Sequence, residues 1–266
     1  MRGGLLLALG LAGCAAPPNG GGGGIVSTNP CADAMLIELV PPGRIAAISR
    51  YSQEPGATSI PLDVARRFRA TAGAAEEVIA LRPDLVVASS FTPPSTREAY
   101  TRAGLRTLYL DSPLTIAASQ AQVTELAVAV GAPEKGAAMN ARIDAAVRGA
   151  GKQPAVPALL WIGGNLVSGG GNLLDEMMRR AGFANAAAGY GLAFTGTLPA
   201  EQVVAHPPRV MLVPDGEERS AAVRARALAH LDVRQAEFPR RLVNCGGPVI
   251  VEAMQRLQEI RRQVVS

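Results

Sequence analysis

Residues 75–88, AEEVIALRPDLVVA, align without a gap on residues 200–213, AEQVVAHPPRVMLV. In each copy an Ala-Glu pair is followed by Val two residues after the glutamate, Ala after four and Pro after seven, and then by an apolar run. The pattern describes a short helix that ends at a proline and feeds a buried strand. A chain carrying this unit twice is constrained to two similar halves. Glu76 and Glu201 occupy the same first-turn position in the two copies. An acid there suits the helix dipole, a term of about 0.3–1 kcal/mol, and needs no function to explain it.

The surrounding sequence extends the halves. Ile25–Ser27, Arg44–Ile48, Leu85–Ala88 and Thr107–Leu110 read as strands, with helical spacing at Asp33–Val40, Glu76–Leu81 and Arg97–Gly104. The continuous apolar run at 85–88 is what a parallel strand buried on both faces requires. Strand–helix alternation predicts an α/β lobe. Helices at 116–130 and 134–150 follow, separated by Gly131-Ala132-Pro133. Alternation then resumes with strands at 158–162 and 210–213 and helices at 172–181, 201–205 and 248–264. The expected organisation is a lobe over 25–132, a linker helix within 133–153 and a second lobe over 154–266. A helix of about 17 residues is stiff over roughly 25 Å, a strut rather than a hinge.

The first 24 residues belong to neither lobe. Arg2, an apolar run from Leu5 to Gly13 and small residues ahead of Cys14 have the order of a secretory signal. The Leu11-Ala12-Gly13-Cys14 ending resembles the bacterial lipoprotein processing box. That resemblance implies a signal peptide over 1–13, cleavage before Cys14 and lipid on its sulfur and new amino group; an ordinary secretory signal is the alternative. Several acyl chains anchor stably where one is marginal. Residues 14–24 then form a tether, whose Gly-rich stretch spans on the order of 17–19 Å root-mean-square.

Composition excludes several classes. The chain has 266 residues, 48% of them hydrophobic, enough for a substantial core and too many for disorder. Arginines supply nearly all the positive charge, and the net is only +4. Pairs such as Arg66-Arg67, Arg179-Arg180 and Arg240-Arg241 lack interleaved aromatics and read as solvated helix faces, not as a nucleic-acid surface. With two histidines, His206 and His230, and no Gly-x-Ser-x-Gly or His-x-x-x-His pattern, a hydrolase or metalloenzyme is disfavoured and no catalytic residue is assigned. The expectation is a non-enzymatic binder, without a resident cofactor or a bare-metal site of its own.

The motifs together resemble the substrate-binding proteins of ABC importers for iron-siderophores, haem and cobalamin. They are Ile25-Val26-Ser27 with Asn29-Pro30; Glu76-x-Val78-x-x-Leu81-x-Pro83-Asp84-Leu85; Leu173-Leu174 through Ala181-Gly182 and Asn185; and Glu201-x-Val203 with Pro208. Arg209 stands where the first copy has Asp84. The resemblance implies an α/β protein of two three-layer lobes with parallel sheets, joined by one long rigid helix, and a ligand cleft between them. It implies a bulky metal chelate as ligand, and Glu76 and Glu201 docking on arginines of a dimeric permease. It places a monomer in the periplasm or at the cell surface, lipid-anchored to a bacterial membrane.

In parallel α/β lobes ligands sit beyond the carboxyl ends of strands. That rule nominates Asn29, Cys31, Tyr51, Ser90 and Phe91 from the first lobe, and Trp161, Asp215 and Cys245 from the second. Tyr190 and Phe194 sit in a glycine-rich loop that could reach the same gap. The aromatics suit a planar macrocycle, although Trp161 fits a core position equally well. Cys31 and Cys245 remain after Cys14 is lipidated. An exported protein usually pairs two such cysteines; free thiols contacting the ligand are the alternative. The sequence reading leans to free thiols, because a staple across the mouth would obstruct a bulky ligand. It places cobalamin or a related corrinoid ahead of a ferric siderophore, since Arg50 is the clear cation among these loops, with haem or a bare metal as further alternatives.

Overall fold

The computed structural model of the protein describes residues 23–148, 154–215, 226, 231 and 233–265. Among these residues two separate sheets form. The first contains β1 (Ile25–Ser27), β2 (Ile45–Ser49), β3 (Ala70–Thr71), β4 (Leu85–Ser89) and β5 (Thr107–Leu110), in the order β3-β2-β1-β4-β5. All its pairings are parallel. Side chains along a strand point alternately to the two faces. Val26, Val86 and Ala88 therefore pack with Val78 and Tyr100 on one side. Ile25, Leu85 and Val87 join a second, larger cluster on the other. The helices responsible are α1 (Pro30–Leu39), the one-turn α2 (Leu62–Ala65), α3 (Ala75–Ala80), α4 (Pro94–Arg102) and α5 (Ile116–Ala129).

The second sheet is built from β6 (Val156–Gly163), β7 (Leu166–Val167), β8 (Phe183–Asn185), β9 (Gly196–Thr197), β10 (Val210–Val213) and β11 (Arg234–Glu237). Its order is β11-β10-β6-β7-β9, with β8 also on β6. It is mixed rather than wholly parallel, which corrects the expectation for this lobe. β6 returns as the antiparallel β7 through Gly164-Asn165, with Gly164 at φ +54°, a conformation glycine adopts freely. The repeat is realised: α3 and α8 (Ala200–Ala205) each end ahead of a proline and lead into a buried strand, β4 and β10.

Between the lobes runs α6 (Pro133–Val147), with proline at its start. Its 15 residues span about 22 Å; residues 149–153 of the expected linker lie outside the described residues. α6 touches α1 on one side and α9 (Val249–Val265) on the other, while α7 (Leu173–Arg180) packs on α9. The larger hydrophobic cluster consequently runs without a break through both lobes, from Ile25 to Val264. Polar contacts reinforce the seam. Ser119 Oγ accepts the Gly247 N–H at 2.7 Å, Glu176 Oε2 accepts the Ile116 N–H at 2.8 Å, and Gln258 Nε2 donates to the Ala146 carbonyl at 2.8 Å. A Cβ on Gly246 would lie 2.3 Å from Ser119 Oγ, so glycine permits this approach. The sheets are distinct, but the helical layer behind them is common. That is the physical basis of a braced pair of lobes.

No helix among the described residues is long and apolar enough to cross a membrane. The signal peptide over 1–13, Cys14 and most of the tether lie outside the described residues.

Candidate functional site

The strand order reverses at β1/β4 in the first sheet and at β6/β10 in the second. At such points the loops leaving adjacent strands diverge and open a crevice. The loops concerned carry Cys31, Phe91, Gly163-Gly164 and Asp215. The two crevices face each other. A gap of about 340 Å³ is bordered by Gly56 from the first lobe and by Ile162, Gly163, Gly164, Leu166, Arg240 and Asn244 from the second.

Arg50 and Tyr51 stand on a one-turn 3-10 segment after β2 (residues 50–53). The tyrosine ring is 44% exposed, with the Arg50 guanidinium 5.0 Å from its centroid. Asp33 anchors this turn from beneath. Its Oδ2 accepts the Ser49 N–H at 2.9 Å and the Ser52 hydroxyl at 2.7 Å, gripping both ends of the segment that presents Tyr51. Asp33 is completely buried, and burial pushes its carboxyl up to about 7, against the opposing pull of the Ser27 and Ser52 hydroxyls and the Ser49 N–H. Phe91, on the loop after β4, is 78% exposed.

Across the gap, Arg240 projects between the lobes. Its Nη1 lies 3.7 Å from where a Gly56 Cβ would be and its Nη2 2.6 Å from where a Gly163 Cβ would be. Asp215 Oδ1 accepts the Arg240 N–H at 2.6 Å and fixes the loop after β11. Sequence reasoning missed Arg240 because Arg240-Arg241 reads as a solvated pair. Arg241 forms an ion pair with Glu252. The signal was the position of the pair just past a strand.

Cys31 and Cys245 form a disulfide. This corrects the preference for free thiols. The bridge joins the N-terminal turn of α1 to the segment ahead of α9, on the floor where the lobes already touch, with Cys245 buried. It therefore ties the two lobes next to Asn244, which borders the gap. Asn29 is buried, its Oδ1 accepting the Cys31 and Ala32 N–H groups as the N-cap of α1. Its position is that of a cap, which the residue type favours.

The remaining nominated residues divide. Trp161 is fully buried among Leu159, Val167, Val203 and Met211. It points to the face of β6 opposite the shared core, so its core alternative holds and its ligand role is corrected. The Tyr190 hydroxyl donates to the His206 carbonyl at the end of α8, beside the start of β10 and away from the crevice. Phe194 is 79% exposed, but its backbone lies over Gly169 on the flank of the second lobe, beside β9. Ser90 is half-buried, its N–H on the Leu110 carbonyl and its own carbonyl accepting from Arg97. Thus Tyr51 and Phe91 are exposed past the carboxyl ends of β2 and β4, Asp215 holds the backbone of Arg240, Cys31 and Cys245 are bridged next to Asn244 of the gap, and Tyr190 is tied to the end of α8. Among the described residues no group of three His, Cys, Asp or Glu could hold a bare metal ion.

Glu76 and Glu201 are exposed in the first turns of α3 and α8. Those helices follow the carboxyl ends of β3 and β9, so the two acids stand at corresponding places on the crevice side of the lobes.

Solved structures share this fold. The periplasmic haem-binding protein RhuT from Roseiflexus sp. RS-1 matches with a TM-score of 0.69 at 22% identity, over 91% of this chain and 97% of that one. The periplasmic haem-binding protein HutB of Vibrio cholerae matches with a TM-score of 0.71 at 16% identity, over 89% and 98%. Ceue of Helicobacter pylori with Ni(II) bound gives 0.67 at 17% identity, over 91% and 84%. No curated protein matches the chain. The sequence model of the periplasmic binding protein family matches residues 25–231, most of both lobes. The two sheets, the helical brace, the facing crevices and this match agree, and the chain belongs to the periplasmic binding protein family.

Proposed function

We propose that the protein is the lipid-tethered, extracytoplasmic substrate-binding component of an ABC importer, and that it captures a metal tetrapyrrole, haem before a corrinoid, without altering it chemically. The observation that carries this reading is the make-up of the mouth: an exposed tyrosine ring under Arg50 on one lobe, and Arg240 projecting from the other across a gap both lobes border. A planar macrocycle stacks on the ring. Two guanidiniums suit the paired carboxylates of haem better than the amide periphery of a corrin. The second cation is what moves haem ahead of the corrinoid preferred on sequence alone. Haem-binding proteins of the same fold from Roseiflexus and Vibrio cholerae support it.

Titration of the purified protein with haemin, cyanocobalamin and a ferric siderophore, followed by absorbance and thermal shift, tests the ligand class. Haemin saturates the protein and raises its apparent stability in proportion to RT ln(1 + [L]/Kd). Tyr51→Ala weakens haemin binding about tenfold, the scale of one lost aromatic contact. Binding indifferent to this change would remove the mouth from the site.

The exposed acids dock the loaded protein on the permease. Charge pairs set registry and encounter rate more than affinity, and two corresponding acids offer a two-point fit to a dimeric partner. In Glu76→Ala/Glu201→Ala, ligand affinity of the purified protein is unchanged while transport-dependent growth on the ligand is lost. Unchanged growth would return both residues to the role of helix-start acids.

A further inference from the structure

At the end of the first lobe opposite the crevice, the parallel strands all begin. Arg44, Arg69 and Arg106 immediately precede β2, β3 and β5, and Arg82 stands three residues before β4. All four are exposed. The remaining strand, β1, is entered from Gly23 and Gly24, with the Gly23 N–H bonded to the Arg82 carbonyl at 3.0 Å. The arginines therefore ring the point at which the chain arrives from its first 22 residues. Two are held in place: Arg44 Nη1 donates to the Val130 carbonyl at 2.8 Å and Arg106 Nη2 to the Ala129 carbonyl at 3.2 Å, at the end of α5. Between them a hollow of about 270 Å³ is lined by Gly23, Gly24, Arg44, Asp84 and Arg106 among others. Asp84 Oδ2 accepts the Gly24 N–H. Asp63 and Glu98 are paired with Arg67 and Arg102.

We propose that this pole is a docking face for an anionic phospholipid surface, on which the protein rests between encounters with its permease, crevice outward. The charge fits phosphate headgroups, which guanidiniums engage bidentately. The chain's path fits as well: a lipid at Cys14 would stand about ten residues from Gly23, a reach of at most about 36 Å, and would emerge inside the arginine ring. The placement beside the lipid rests on the lipoprotein reading. The attraction to anionic bilayers does not, and the two fail separately, since lipidation is read from the mass of membrane-extracted protein.

The full chain carrying Cys14→Ser, which removes the lipid, is floated with vesicles of phosphatidylcholine alone or in equimolar mixture with phosphatidylglycerol. The readout is the gain in binding from neutral to anionic vesicles, which cancels insertion of the apolar leader, while the charge of Arg2 is common to every variant. The gain is present at low salt and abolished at high salt. Arg69→Gln/Arg82→Gln/Arg106→Gln reduces it on the order of a hundredfold, at about fivefold per surface arginine. Arg179→Gln/Arg180→Gln/Arg262→Gln, an equal charge change on the second lobe, leaves it intact; circular dichroism checks that both variants fold. No preference for anionic vesicles, or equal loss in the two variants, overturns the proposal.

Discussion

Cys31→Ser/Cys245→Ala lowers the unfolding free energy by about 3–5 kcal/mol and the melting temperature by on the order of 10 °C. The bridge closes residues 214 apart in sequence, and in the chain-entropy account the constraint on the unfolded state grows with loop length. It is also a covalent connection between lobes that the backbone otherwise joins through α6. The shared hydrophobic cluster and the Ser119–Gly247 and Glu176–Ile116 bonds persist without it, so the variant folds, and does so less stably. Denaturant titrations of wild type with and without reductant, and of the double variant, measure the effect. Reduced wild type and the variant should coincide. Equal midpoints for oxidised and reduced protein would show that the bridge adds no stability.

Stability also falls as pH rises from about 4 to about 7, by at most about 4 kcal/mol. The cause is Asp33, whose folded-state carboxyl is pushed up to about 7 by burial. In the unfolded chain the group has lost its proton above about 4, whereas the folded protein retains it until near 7. Across that window the folded state binds more protons, so each step up in pH favours unfolding, and the slope vanishes above 7. Asp33→Asn keeps an oxygen for the Ser49 N–H and Ser52 hydroxyl and cannot ionise. Its denaturation midpoint is accordingly flatter than wild type between pH 4 and 7. A wild-type stability that rises from pH 5 to pH 7 would contradict this account.

The features legible in the sequence were those encoded locally. The repeat, its prolines and the apolar runs at 85–88 and 210–213 announce helix–strand units, because periodicity and backbone restriction act over a few residues. β7 and β9 were missed because two-residue strands carry no period of their own. Trp161 was ambiguous for the same reason: at the end of a buried strand, core and crevice differ only in which face the residue takes, and a one-residue change of register exchanges them. The pairing of Cys31 with Cys245 depends on where two distant loops meet, and the argument against it placed the bridge across the mouth when it lies on the floor. Arg240 was hidden likewise, since its significance comes from Gly56 and Gly163, which border it only in the folded molecule.

The claim on which the account rests is that the two braced lobes hold a metal tetrapyrrole in their crevice and return it unaltered. Equilibrium dialysis of the purified protein against haemin, with the bound pigment then extracted and weighed by mass spectrometry, addresses it directly. The account predicts saturable uptake and recovery of haem at its original mass. A protein that takes up none, or that returns a ring-opened or demetallated product, would contradict it.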